Sequence, residues 1–153
     1  TERLLLQNGQ SDGLERFWRG ILGSAAGVRL HRPPYGLGGT ATGYIHLTSA
    51  RLLLQRYDVF NSVPDFEHNQ LNERDENEAF CASIPGTAKI VFFPQAGHVE
   101  LDVNDLGGTV RIQWLDINHT RWYEPSTEEG KNRIVLKTPG EGYWVALVEK
   151  SHN

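Results

Sequence analysis

Apolar and polar positions alternate most regularly in the second half of the chain, and the best-marked stretch runs from Val110 to Trp122. Val110, Ile112 and Trp114 alternate with Arg111 and Gln113, the period of a strand with one buried face. Asp116-Ile117-Asn118-His119 breaks the alternation with side chains that close turns, and Thr120 to Tyr123 returns as a short second strand. The stretch therefore reads as a β-hairpin, Thr109 to Leu115 and Thr120 to Tyr123. Further strands are predicted at Ala79 to Ser83, Ala88 to Phe93, His98 to Val103, Arg133 to Lys137 and Tyr143 to Glu149. Pro85-Gly86, Pro94, Gly97, Gly107-Gly108, Gly130 and Pro139-Gly140 separate them, the punctuation of an antiparallel sandwich or barrel.

Two kinds of strand are distinguishable. Val99, Leu101 and Val103 point one way and His98, Glu100 and Asp102 the other, so that strand is half solvated. Ile90-Val91-Phe92-Phe93 and Trp144-Val145-Ala146-Leu147-Val148 are apolar on both faces, which requires cover on both sides.

The first half follows a different pattern. Leu14, Phe17, Trp18, Ile21 and Leu22 fall at helical spacing behind Asp12-Gly13-Leu14-Glu15, which has the form of a capping box with Asp12 as N-cap. The spacing predicts a helix over 13–22, ended by Gly23. Ala25 to Leu30 reads as a short buried strand, and Pro33-Pro34 forbid regular structure after it. A glycine-rich loop, Gly36 to Gly43, leads into a second predicted helix from Tyr44 to Phe60, stopped at Pro64. Residues 65–77 are polar and read as a linker. The predicted organisation is thus a helical segment over 1–64, a linker over 65–77 and a β-sandwich over 78–150. The fold class is mainly β, an antiparallel β-sandwich preceded by helices, α+β overall. The helices are the expected cover for the strands that are apolar on both faces.

Composition narrows the function classes. The 153 residues carry a formal net charge of -4 with no Lys/Arg run, which weighs against nucleic acid and anionic membrane as partners. No apolar stretch approaches the roughly 20 residues of a membrane span. The single cysteine, Cys81, excludes an internal disulfide and sits in an apolar strand pattern, so it is expected as a buried small hydrophobe. The chain opens at Thr1 and contains no methionine, which points to a fragment or a processed form. No leader segment is recognisable, so the compartment is not read from this end.

Candidate chemistry is sparse. Gly36-Leu37-Gly38-Gly39-Thr40-Ala41 fits the G-x-G-x-x-A dinucleotide pattern, with Asp58 at a distance suited to a ribose contact. Two prolines separate the loop from its strand and no second parallel strand follows, so an ordinary glycine loop is the favoured reading. His31 and Arg32 leave the end of the Ala25 to Leu30 strand, where a (β/α) barrel would build an active site; a solvated loop is the competing reading. Glu100 and Asp102 share a solvated strand face, and Asp102, Asn104 and Asp105 miss the spacing of a calcium loop. The histidines have no metal-ligand spacing, and neither a metal nor a cofactor is expected. Asn118-His119-Thr120 is a glycosylation sequon. Trp114, Trp122, Tyr123, Tyr143 and Trp144 form a pool of aromatics that could stack on sugar rings or pack in the core. Trp114 continues the buried face of Val110 and Ile112 and is expected in the core. Trp122 and Tyr123, with His31 and Arg32, are the candidate ligand-binding residues.

The chain also resembles a known family. Ala79-Phe80-Cys81-Ala82, Ile90-Val91-Phe92-Phe93-Pro94, Val110-x-Ile112-x-Trp114-x-Asp116, Trp122 and the closing Pro139-Gly140-Glu141-Gly142-Tyr143-Trp144-Val145-Ala146-Leu147 are similar to the small C-terminal β domain of apiosidase-like bacterial glycoside hydrolases, a domain labelled for collagen binding in a family labelled collagenase. Phe17-Trp18-Arg19-Gly20-Ile21-Leu22, Ala25-Ala26-Gly27 and the helix ending Phe60-x-x-x-Pro64 are similar to the end of the catalytic barrel of the same family. The resemblance implies a non-catalytic accessory domain that binds carbohydrate or collagen, attached to the last elements of a (β/α)8 barrel, and a secreted or periplasmic location. No position here matches the family's catalytic carboxylates, so no catalytic residue is assigned, and the expectation leans away from an enzyme. Its partners would be a polysaccharide or an extracellular protein, together with the rest of the barrel, or a second copy, covering the helices. The alternatives are a free-standing carbohydrate-binding module and a truncated glycosidase with residual active-site loop residues.

Overall fold

The computed structural model describes residues 9–25, 40–74, 79–130 and 132–151. Among the described residues two helices, α1 (Gly9–Leu22) and α2 (Ala41–Leu54), and a 3-10 turn at Val59–Asn61 precede ten strands. These are β1 (Val63–Pro64), β2 (Leu71–Asn72), β3 (Phe80–Ile84), β4 (Ala88–Phe93), β5 (His98–Asp102), β6 (Thr109–Asp116), β7 (Arg121–Trp122), β8 (Ser126–Glu129), β9 (Arg133–Lys137) and β10 (Trp144–Lys150).

The strands form two antiparallel sheets. The larger runs β1-β3-β4-β10-β6, and both β7 and β8 pair along the outer edge of β6. The smaller runs β2-β5-β9. Successive side chains of a strand alternate between faces, so the apolar strands of the large sheet feed two cores. Val91 and Phe93 of β4, Val110 and Ile112 of β6, and Ala146 and Val148 of β10 meet Val99, Leu101, Ile134 and Leu136 of the small sheet. Their neighbours Ile90, Phe92, Leu115, Val145 and Leu147 meet the helices instead. The fold class expected from the sequence is therefore found: mostly antiparallel sheet with two short helices on the N-terminal side. Its layers are helix pair, large sheet and small sheet.

The helix layer is fixed by a few specific contacts. Trp18 is fully buried and stacks on Phe92 with ring centroids 5.5 Å apart. Removing a large aromatic from such a position costs about 3–5 kcal/mol. The Trp18 Nε1–H donates to Nδ1 of His46 at 2.9 Å, joining α1 to α2. Ser49 Oγ–H donates to the Ile117 carbonyl at 2.6 Å, joining α2 to the β6–β7 turn. At the other end of the sandwich Lys89, almost fully buried on β4, reaches Gln70 Oε1 (2.6 Å), the Asp102 carbonyl (2.8 Å) and Asp105 (2.7 Å). A buried ammonium is tolerable only when paired and hydrogen-bonded in this way. Partial burial alone would raise the Asp105 carboxyl, but the Gly86 N–H and the Lys89 ammonium outweigh it and hold the group below the usual carboxylate range.

Several boundaries differ from the sequence reading. Helix α1 starts at Gly9, so Asp12 lies within its first turn rather than at the N-cap and pairs with Arg16 at 3.0 Å. Helix α2 ends at Leu54, because Asp58 caps a separate 3-10 turn by accepting from the Phe60 N–H and from Asn61. Residues 65–77, read as a linker, contribute strand β2, whose Leu71 is buried in the inter-sheet core. Strand β8 had no counterpart among the predicted strands. Cys81 is buried, and burial pushes its thiol up to about 12. The proposed strand at Ala25 to Leu30 lies outside the described residues from 26 onward, as does the first half of the glycine-rich loop, 36–39; the rest of that loop, from Ala41, belongs to helix α2.

Candidate functional site

Strand register decides which of the candidate side chains meet. Trp122 on β7 is paired with Leu115 on β6, and so faces the helix side of the large sheet. Next along that face come Gln113 and then Arg111, which is paired with Glu149 of β10. Helix α2 ends at Leu54, and Arg56 from the segment after it reaches over these residues. Its guanidinium carbon lies 4.8 Å from the centre of the Trp122 ring, a cation–π stack.

The polar groups around this tryptophan form one array. Arg56 Nη1 and Arg111 Nη2 both donate to Gln113 Oε1, the second at 2.8 Å. Gln113 Nε2 donates to the Tyr123 carbonyl at 2.7 Å. Arg111 Nη1 pairs with Glu149 at 2.8 Å, and Arg56 Nη2 stands 3.9 Å from the same carboxylate. Side-chain exposures of about a third (Arg56 31%, Arg111 32%, Glu149 30%) leave the array open to solvent on one side. An indole bordered by planar guanidinium, amide and carboxylate groups has the chemistry that sugars need. In general an indole can take the apolar face of a pyranose, and planar groups its hydroxyls, which both donate and accept; here Arg56 lies over one face of the Trp122 ring.

Tyr123 falls on the opposite face. Its ring packs edge-on against Trp144 at 5.2 Å, and Trp144 in turn packs against Trp114 at 6.3 Å. Arg121 lies over the Tyr123 ring at 5.0 Å. Trp114 packs against the inter-sheet core as expected, and Trp144 is buried within it. The aromatic pool therefore divides: Trp114, Tyr123 and Trp144 belong to the sandwich core and its rim, Tyr143 packs against the helix-side core, and Trp122 borders the polar array. Trp122 and Tyr123 do not build one site together. His31 and Arg32 lie outside the described residues.

Arg56, Arg111, Gln113 and Glu149 were not candidates in the sequence. The period-two pattern places Arg111 and Gln113 on the face of Trp122 only once the hairpin register is known. Arg56 and Glu149 come from distant segments. Asp102 and Asp105, noted earlier, are used within the fold. Asp102 accepts from the Asn104 N–H at 2.9 Å, and Asp105 is paired with Lys89. Among the described residues no three His, Cys, Asp or Glu side chains converge as a metal site would require.

No protein-family model matches the chain, and no curated protein sequence matches it. Its fold does match solved structures. It is similar to a glycoside hydrolase family 5 protein from Bacteroides vulgatus ATCC 8482, with a TM-score of 0.60 and 12% identity, over 71% of this chain and 24% of that one. It is similar to another protein described as a glycoside hydrolase, with a TM-score of 0.61 and 14% identity, over 80% of this chain and 31% of that one. The chain thus spans less than a third of these neighbours. Residues 78–153 are only about half of the sequence, so matches of this extent take in part of the helical half as well as the sandwich. Most of this chain therefore has the fold of part of a glycoside hydrolase.

Proposed function

We propose that this chain is a non-catalytic accessory β-sandwich domain, with two adjoining helices, of a glycoside hydrolase-like protein, and that it holds carbohydrate at Trp122. The observation that carries the reading is the likeness of most of this chain to a minor part of larger glycoside hydrolases. A sandwich that shares one apolar core with its preceding helices is held rigidly to whatever those helices belong to. Such an arrangement suits a domain that positions a polysaccharide for a neighbouring catalytic barrel. The polar array beside Trp122 supports carbohydrate as the ligand in preference to collagen, because it offers paired donors and acceptors beside an indole.

Reading the gene upstream of the Thr1 codon tests the accessory role. An open frame encoding further strand–helix repeats of a barrel is the expected result. A start codon directly before Thr1, with no barrel sequence, would contradict the role and leave a free-standing module.

A further inference from the structure

A second surface, on the opposite flank from β7 and Trp122, has the chemistry of an anion site. A groove of about 280 Å³ runs between the end of α1, strand β3 and the loop after β1. Arg19, Gly23, Asp65, Phe66, His68 and Phe80 line it. This volume lies near the lower end of ligand clefts, roughly 300–1,000 Å³, and suits one ring-sized unit rather than a folded chain.

The side chains in the groove differ in how far they are already committed. Arg19 lies over the Phe80 ring with its guanidinium carbon 4.8 Å from the ring centre. Among the described residues its guanidinium makes no ion pair and no hydrogen bond. Glu15, one turn earlier, acts on it only through space. The ring holds the guanidinium over the groove and leaves its N–H groups free. Asp65, the acidic residue in the lining, is committed: its two oxygens accept from the Asn69 and Gln70 N–H groups at 2.9 Å each. Arg74 donates to Nδ1 of His68 at 2.6 Å, which leaves Nε2 as an N–H donor. His68 itself is held at φ +56, a left-handed conformation uncommon for a residue with a side chain. Phe66 is 78% exposed beside these groups. The groove therefore offers a free guanidinium held against Phe80, a second N–H donor and an uncovered apolar ring.

We infer that this groove binds a ring bearing one carboxylate, a uronic-acid unit, with the carboxylate on Arg19, a hydroxyl on His68 and the apolar ring face on Phe66. This extends the carbohydrate reading and rests on it, but it concerns a different site from Trp122.

The test is a titration of the full chain, followed by amide NMR shifts, with methyl glucuronide and separately with the neutral methyl glucoside. Methyl glucuronide should bind in the millimolar range, moving the amides of Arg19 and of the 65–70 loop, and methyl glucoside should bind about tenfold more weakly. Arg19→Gln should remove that preference, and Phe66→Ala, at an exposed position, should weaken both ligands. Equal binding of the two sugars, unchanged preference in Arg19→Gln, or no shifts in the groove would overturn the inference. If a neutral polysaccharide still binds in a Trp122-dependent way, the carbohydrate reading survives that failure. If it does not, both fall.

Discussion

Replacing His46 should flatten the acid dependence of stability, and the structure gives the size of the effect. His46 is 1% exposed between α1, α2 and the sheet, and its ring packs edge-on against Tyr143 at 5.1 Å. Because Nδ1 accepts from Trp18, the neutral ring carries its proton on Nε2. A second proton would place an N–H on Nδ1, facing the indole N–H. Burial pushes the imidazole down to about 4; Asn118 offsets this only in part and does not reach hydrogen-bond geometry on Nε2. The folded value lies below the unfolded value of about 6.5, so the unfolded chain takes the proton first. Stability is then complete above about pH 6.5 and falls as pH drops toward the folded value. At about 1.4 kcal/mol per decade the full difference is about 3 kcal/mol, of which about 2 kcal/mol is lost between about pH 7 and pH 5. Urea unfolding followed by tryptophan fluorescence at these two values measures it. His46→Asn keeps an acceptor near the Nδ1 position and removes the titration. It is expected to lower stability at both values and to lose about 2 kcal/mol less than wild type on acidification. An equal loss in both proteins would show that protonation of His46 does not set the acid dependence.

Other substitutions probe different parts of the fold. Asp105→Ala leaves the Lys89 ammonium buried with only neutral oxygens and is expected to cost about 2–4 kcal/mol by urea unfolding, an effect that Lys89→Met in the same background should reduce. Gly142 has φ +100, and a Cβ there would meet Asn118 Nδ2 at 2.7 Å; Gly142→Ala should cost about 1–3 kcal/mol, read as a lowered thermal midpoint.

Legibility in the sequence followed the strength of the hydrophobic signal. Strands β4 and β9 were found with their observed ends, because Ile90 to Phe93 is apolar throughout and Ile134 and Leu136 alternate with exposed neighbours. The apolar character of β4 and β10 on both faces anticipated the two cores, since a chain cannot leave such strands uncovered. Strand β8 was missed because all four of its residues are exposed; its pairing with β6 comes from the backbone and leaves no periodicity. Strand β2 was missed because Leu71 is its sole buried residue. Helix α2 was overextended because the buried Leu53 and Tyr57 fall one helical turn apart across its end, so the apolar pattern carries no stop before the 3-10 turn that Asp58 caps. The site was less legible. Trp122 was singled out from its hairpin, but its surroundings depend on register and on Arg56, which lies 57 residues before Gln113. No local pattern encodes such a meeting.

The proposed function requires the open array beside Trp122 to hold carbohydrate without cleaving it. Affinity electrophoresis of wild type and Trp122→Ala through gels containing neutral plant polysaccharides tests this most directly, with unfolding curves to show that both proteins are folded. Retardation of the wild type by at least one polysaccharide, largely lost in Trp122→Ala, is the predicted result. No retardation by any polysaccharide, or equal retardation of both proteins, would contradict the claim.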